Sequence, residues 1–267
     1  MSPILEPATL LELGIARVRY TAHWEMLRGL EPPDAADGGG EGEGAAVADA
    51  PVGSWLLAAP RPGIVGRAYF AFIGVNARQH VPIVLDYLET VPEIDATRIA
   101  VAGSSTAGFT ALEALVAEPR LAAGVVRSAC GDYHEFLKNS SLALAGDARW
   151  LVDGEMVLDA DYEAELRDRE PIRRADRLPP RPVLMLNGEQ DPAIPAACAR
   201  RTAAVLERAY AARRLSGRFR FVLYPERGHD VGEPAREEIR RWWERWLLVP
   251  QPGGADVPAQ PEAPSGR

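Results

Sequence analysis

RIAVAGSSTAGFTALEAL, Arg98 to Leu115, is the stretch on which the reading of this chain turns. Ile99 to Ala102 form a short apolar run without charge, which suits a strand buried on both faces of a parallel sheet. Gly103 ends the run, and from Thr106 onward Phe109, Leu112, Leu115 and Val116 recur at helical spacing. Ser105 falls on the turn between strand and helix. A strand, a tight turn with small residues around a serine, and a helix form the G-x-S-x-G nucleophile elbow, which exposes the hydroxyl at the carboxyl end of a sheet. The turn is strained and its helix passes close to the strand, which is why small residues are needed. Ala107, with Gly108 behind it, stands two places after the serine, a departure of one methyl. The phosphate-cradling alternatives fail, because neither a Gly-Lys-Ser/Thr ending nor a G-x-G-x-x-G run is present.

Composition excludes several partners. With 267 residues, 47% hydrophobic and 25% charged, the chain suits one α/β domain of ordinary size. A net charge of -8 argues against nucleic acid and against an anionic membrane surface. The N-terminus has no basic region and carries Glu6 and Glu12, so neither a secretory signal nor a transit peptide is read there. No apolar run reaches the length of a membrane span. The two cysteines, Cys130 and Cys198, fit a reducing compartment without a disulfide, with Cys130 a core residue at a strand end. A cytoplasmic location is therefore expected.

Outward from the elbow, strands and helices alternate. Leu5 to Gly29 mixes helical and strand periodicities, and Pro32 to Pro51 reads as a flexible Gly-, Ala- and acid-rich loop. Ser54 to Ala59 is a plausible strand. Gln79 to Val91 reads as a helix with Val81, Val84, Leu85 and Leu88 on one face and Pro82 in its first turn. After the elbow, buried strands are expected at 123–129 and 182–186 and a further strand at 219–224, with helices at 196–214 and 233–248. The last places Ile239, Trp242, Trp243, Trp246 and Leu247 on one core-facing stripe. Residues 133–180, with a helix around Tyr162 to Arg169, are placed to act as a lid. The expected organisation is a single domain over 1–249 with a disordered tail over 250–267. Its architecture is a mostly parallel sheet with helices on both faces.

Two further loops leave the carboxyl ends of predicted strands. Asn187 to Pro195, NGEQDPAIP, carries Asp191, and PERGHDVGEP after Tyr224 carries His229. A serine hydroxyl is a poor nucleophile until a base takes its proton, and imidazole titrates near neutrality. A buried carboxylate then fixes the imidazole tautomer. Asp132, after the strand that follows the elbow helix, is the alternative acid; the Gly-x-x-Asp-x-x-x-Pro setting favours Asp191. His23, His80 and His134 lack a matching context. His134-Glu135 does not continue into a zincin motif and no Cys/His spacing suggests zinc, so no metal or other cofactor is expected.

With these residues the chain resembles the α/β-hydrolase superfamily, and within it the dienelactone-hydrolase and prolyl-oligopeptidase-like serine hydrolases. The resemblance spans about Gln79 to Leu247 and rests on LDYLETVPEIDATRIAVAGSSTAGFTAL, PVLMLNGEQDPAIP and LYPERGHDV. The chain order Ser105, Asp191, His229 is the order this fold uses. The resemblance implies hydrolysis of a small ester, thioester or amide through an acyl-enzyme, with those three as the triad and the Thr106 N–H as an oxyanion donor. The N-terminal third departs from the pattern. No His-Gly turn supplies the second donor, and Pro60 and Pro62 have no N–H, which leaves the backbone around Arg61 and Gly63. The segment Ala68 to Val75, AYFAFIGV, is either a displaced strand or the sign of a truncated, atypical N-terminal part. The expected activity is that of an esterase on a small-molecule ester. The alternatives are a peptidase, disfavoured because so short a chain leaves no room for a gating domain, and a catalytically impaired binding protein on the same fold.

Overall fold

Four parallel strands carry the fold: β1 (Ala100–Ser104), β2 (Ala123–Arg127), β5 (Val183–Gly188) and β6 (Phe219–Tyr224), side by side in the order β1-β2-β5-β6. The computed structural model describes residues 64–146, 151–152, 155–156, 158 and 160–248. The expected loop at 32–51, the strand at 54–59, His23, Arg61, Gly63 and the tail lie outside them. Helices connect the strands: α1 (Ile64–Val75), α2 (Val81–Leu88), α3 (Thr106–Ala117), α4 (Tyr133–Asn139), α5 (Ser141–Gly146), α6 (Ala160–Arg169), α7 (Ala196–Ala212) and α8 (Gly232–Trp243). A two-stranded ribbon, β3 (Leu151–Val152) with β4 (Glu155–Met156), lies between α5 and α6.

Alternation along the central strands divides the core in two. Val126, Val183 and Met185 pack with the aromatic residues of α1, α3 and α4 on one face, while Val125, Leu184 and Leu186 meet Ile239, Trp242 and Trp243 of α8 on the other. β2 and β5 are buried at every position, as strands covered on both faces must be. β1 differs. It is an edge strand among the described residues, and Ala102 is exposed, so the expectation of burial on both faces fails for it.

Three further expectations are corrected. AYFAFIGV is not a strand: it lies in α1, whose Tyr69, Phe70 and Ile73 are buried along one helical stripe that runs on to Ala77 in the turn that follows. The helix continues through a π turn at Asn76–His80 into α2. Pro82 is therefore inside a continuous helix rather than at its start. A proline there removes a donor and crowds the preceding turn, and the wider π turn just before it accommodates that. Finally, Cys130 and Cys198 are joined in a disulfide, with Cα atoms 5.8 Å apart. The exits of the adjacent strands β2 and β5 bring these residues together across a separation of 68 positions. Disulfides persist in oxidising compartments, so the expectation of a cytoplasmic location loses its support from free thiols. No helix of the described residues is long and apolar enough to cross a membrane.

One buried charge holds several helices together. Glu113 of α3 has no solvent exposure, and its carboxylate accepts from Arg78 Nε at 2.9 Å, Arg169 Nε at 3.2 Å and the Tyr133 hydroxyl at 2.9 Å. A buried carboxylate is tolerated when cations and donors satisfy it, as here. Burial, with Glu113 beside it, pushes the Tyr133 phenol well above its usual range, so it stays a neutral donor.

Candidate active site

The backbone of Ser105 has φ 57° and ψ −126°, the strained geometry of a nucleophile elbow, and α3 begins at the next residue. Close packing explains the small residues around it. A Cβ on Gly103 would run into the Ala107 carbonyl, and one on Gly108 would lie 2.7 Å from Arg127 O. Ala107 itself is exposed, so its methyl meets no obstacle and the departure from the motif is harmless. Thr106 is the first residue of α3, and its N–H has no carbonyl one turn back to bond, which leaves it available as an oxyanion donor. The Tyr69 hydroxyl bonds the Thr106 side chain and ties α1 to the elbow; burial raises its pKa far more than that bond lowers it, so it remains a neutral phenol.

Asp191 and His229 meet. His229 Nδ1 lies 2.8 Å from Asp191 Oδ2. An ionised carboxylate can only accept, so Nδ1 carries the hydrogen and Nε2 is left with a lone pair for a serine proton. The acid is 3% exposed and locked in place, since its Oδ1 accepts from Ala193 N at 2.9 Å and Ile194 N at 3.0 Å. Its loop is braced from the end of α4, where Ser140 Oγ donates to Ala193 O at 2.6 Å and Ser141 N to Pro192 O at 2.9 Å. The base loop is held against the acid loop by Gln190 N donating to Arg227 O at 2.9 Å.

Asp132 is elsewhere occupied. Its Oδ1 caps α4 through Glu135 N at 2.9 Å, and its Oδ2 pairs with Arg201 Nε at 2.7 Å. Helix capping and an ion pair account for its burial without a partner imidazole. The remaining oxyanion candidate, Gly63, lies outside the described residues.

Asp132, His134 and Glu170 also gather their polar atoms within 4.8 Å of one another. Their oxygens are already committed to Glu135 N, Arg201, Arg173 and His134, so the cluster is an ion-pair clasp rather than a cation cage. His134 Nδ1 faces Glu170 at 2.8 Å and Nε2 faces Glu163 of α6 at 2.8 Å. Both nitrogens can donate only in the imidazolium. The bond to Glu170, assisted by Glu163 and opposed by burial, accordingly raises the His134 pKa above 6.5. Burial works against ionisation of Glu163 and Glu170. Their bonds to His134, with Arg167 on Glu163 and Arg173 on Glu170, outweigh it and hold both below 4.5. The raised histidine stabilises the fold fully below pH 6.5, and its contribution is lost as pH climbs through its folded pKa. The carboxylates contribute above 4.5, and lose that as pH falls through their lowered values. Thermal unfolding of the wild type should thus show a fall in Tm above pH 6.5 that His134→Gln lacks. Equal slopes in the two proteins would contradict the clasp.

Sequence reasoning missed the clasp, the Glu113 centre and the disulfide, because each joins residues far apart in the chain. Among known proteins, the chain is 26% identical over 180 residues to “Putative esterase YitV” of Bacillus subtilis (strain 168), covering 67% of this chain and 69% of that protein. A puromycin-hydrolyzing peptidase of Mycobacterium tuberculosis is similar in structure, with TM-score 0.51 and 22% identity over 61% of this chain and 24% of its own. An acylaminoacyl peptidase of Pyrococcus horikoshii matches with TM-score 0.50 and 20% identity, over 64% of this chain and 27% of that one. The chain spans about a quarter of the length of these solved structures, which establish the α/β-hydrolase fold alone. The family model described as the prolyl oligopeptidase family matches residues 74–247. Joined to a serine elbow and a hydrogen-bonded acid and imidazole, that match places the chain in the prolyl oligopeptidase family of serine hydrolases.

Proposed function

We propose that the protein cleaves a small carboxylic ester or thioester through an acyl-enzyme on Ser105. The observation that carries this is the bond between His229 Nδ1 and Asp191, which leaves Nε2 to act as a base, while Ser105 sits on a strained elbow and both backbones are tied to consecutive residues at the end of β2. In this reading His229 takes the hydroxyl proton as Ser105 Oγ bonds the acyl carbon. The carbonyl electrons move onto oxygen and are stabilised by the Thr106 N–H. Collapse expels the alcohol, which receives the proton from the imidazolium, and water repeats the cycle to release the acid. Asp191 keeps the tautomer and offsets the imidazolium charge. Gly63 is proposed as the second oxyanion donor, and no cofactor enters the chemistry.

An ester is favoured because the esterase-named relative matches over 69% of its own length. The family match favours a peptidase, and that second reading uses the same residues. Comparing kcat/KM for p-nitrophenyl acetate and butyrate with that for aminoacyl and dipeptidyl p-nitroanilides separates the two. The ester reading expects the p-nitrophenyl esters to be turned over and the anilides to be nearly inert. A higher kcat/KM on an anilide would establish the peptidase instead.

A further inference from the structure

Ser128 is the first residue beyond β2 and is fully buried, with φ 47°. Among the described residues the other non-glycine positions with positive φ are Ser105 itself and the exposed Arg214 after α7. Glycine would adopt such a backbone without penalty, whereas a serine there is strained. The hydroxyl is what glycine would lack. Ser128 Oγ donates to the backbone carbonyl of His229 at 2.7 Å, across 101 positions of sequence. Its own N–H donates to Leu186 O at 2.8 Å, anchoring it to β5. The residue before it, Arg127, accepts the Ser105 N–H on its carbonyl at 2.9 Å and donates from Nε to Ser104 Oγ at 2.9 Å. Two consecutive residues at the end of β2 therefore hold the backbone of the nucleophile on one side and that of the base on the other.

We propose that Ser128 is a positioning residue, which sets the His229 ring against Ser105 by fixing the carbonyl of the base. This rests on the triad reading above. With its carbonyl held by Ser128 and Nδ1 held by Asp191, the histidine is constrained at both backbone and ring, by elements that leave different strands. Without the first bond, the base loop keeps its link to the acid but loses its register to the elbow. Displacement of a reacting group by about 1 Å can cost 10²-fold in rate.

The test uses Ser128→Gly, which removes the hydroxyl while relieving the backbone strain, with Ser128→Ala as a second variant that keeps the strain. In the full chain, on a p-nitrophenyl ester, Ser128→Gly is expected to lower kcat by about 10²-fold with KM little changed and Tm equal to or above the wild type. A purely structural serine predicts a fall in Tm, with kcat per folded molecule unchanged in both variants; that result overturns the proposal. The double variant with His229→Ala supplies the cycle: Ser128→Gly should have no further effect once the imidazole is gone. An undiminished effect in that background also overturns it. Failure of the triad reading itself is seen separately, as full turnover in Ser105→Ala.

Discussion

Ser105→Ala is expected to lower kcat on a p-nitrophenyl ester by about 10⁶-fold, the loss typical of removing the nucleophile from a coupled triad. KM should change little, since the hydroxyl contributes to the bond being formed more than to binding of the ground state. Folding should be unaffected. The side chain is small, Ser105 N bonds the Arg127 carbonyl through the backbone, and Gly108 N and Phe109 N bond the Ser105 carbonyl, none of which needs the hydroxyl. A loss smaller than about 10-fold in steady-state hydrolysis would mean that another group attacks the substrate.

Asp191→Asn is expected to cost about 10⁴ in kcat, because an amide facing Nδ1 no longer selects the productive tautomer or offsets the imidazolium charge. The contrast with Asp132→Asn is the informative part. Asp132 is tied to Glu135 N and Arg201, so its replacement should leave turnover within a few-fold and cost about 1 kcal/mol of stability through the weakened cap. Steady-state kinetics and thermal unfolding of both variants check this pair. The reverse ranking would move the working acid to β2's exit.

What was legible in the sequence is what steric and periodic constraints write locally. The elbow stands out because a strained turn between a strand and a closely packed helix admits only small residues, and Gly103 and Gly108 are where that contact is tightest. The fully buried strand at 183–188, the partly covered strand at 219–224 and the tryptophan stripe of α8 follow from period and apolar content. Asp191 and His229, which the structure brings into hydrogen-bond contact, stand out in the sequence because each lies in a turn-rich loop after such a strand.

Other features leave no local trace. AYFAFIGV looks like a strand because it is apolar on nearly every residue, which hides a helical stripe as well as an alternating one. Glu113 reads as one charge on an amphipathic helix; its partners Arg78 and Arg169 lie 35 and 56 positions away. The disulfide joins two cysteines that only the order of strands brings together. Ser128 is a small polar residue after a strand, and neither its positive φ nor its bond to His229 can be read from its neighbours. Long-range pairing, rather than weak local signal, is what separates these from the elbow.

The central claim is that Ser105, activated by His229, is the nucleophile. It is tested most directly by treating the full chain with a fluorophosphonate and locating the adduct by peptide mass spectrometry. A single adduct on the peptide containing Ser105, absent after Ser105→Ala and strongly slowed after His229→Ala, is the predicted result. An adduct on a different residue, or labelling that persists in Ser105→Ala, would contradict it.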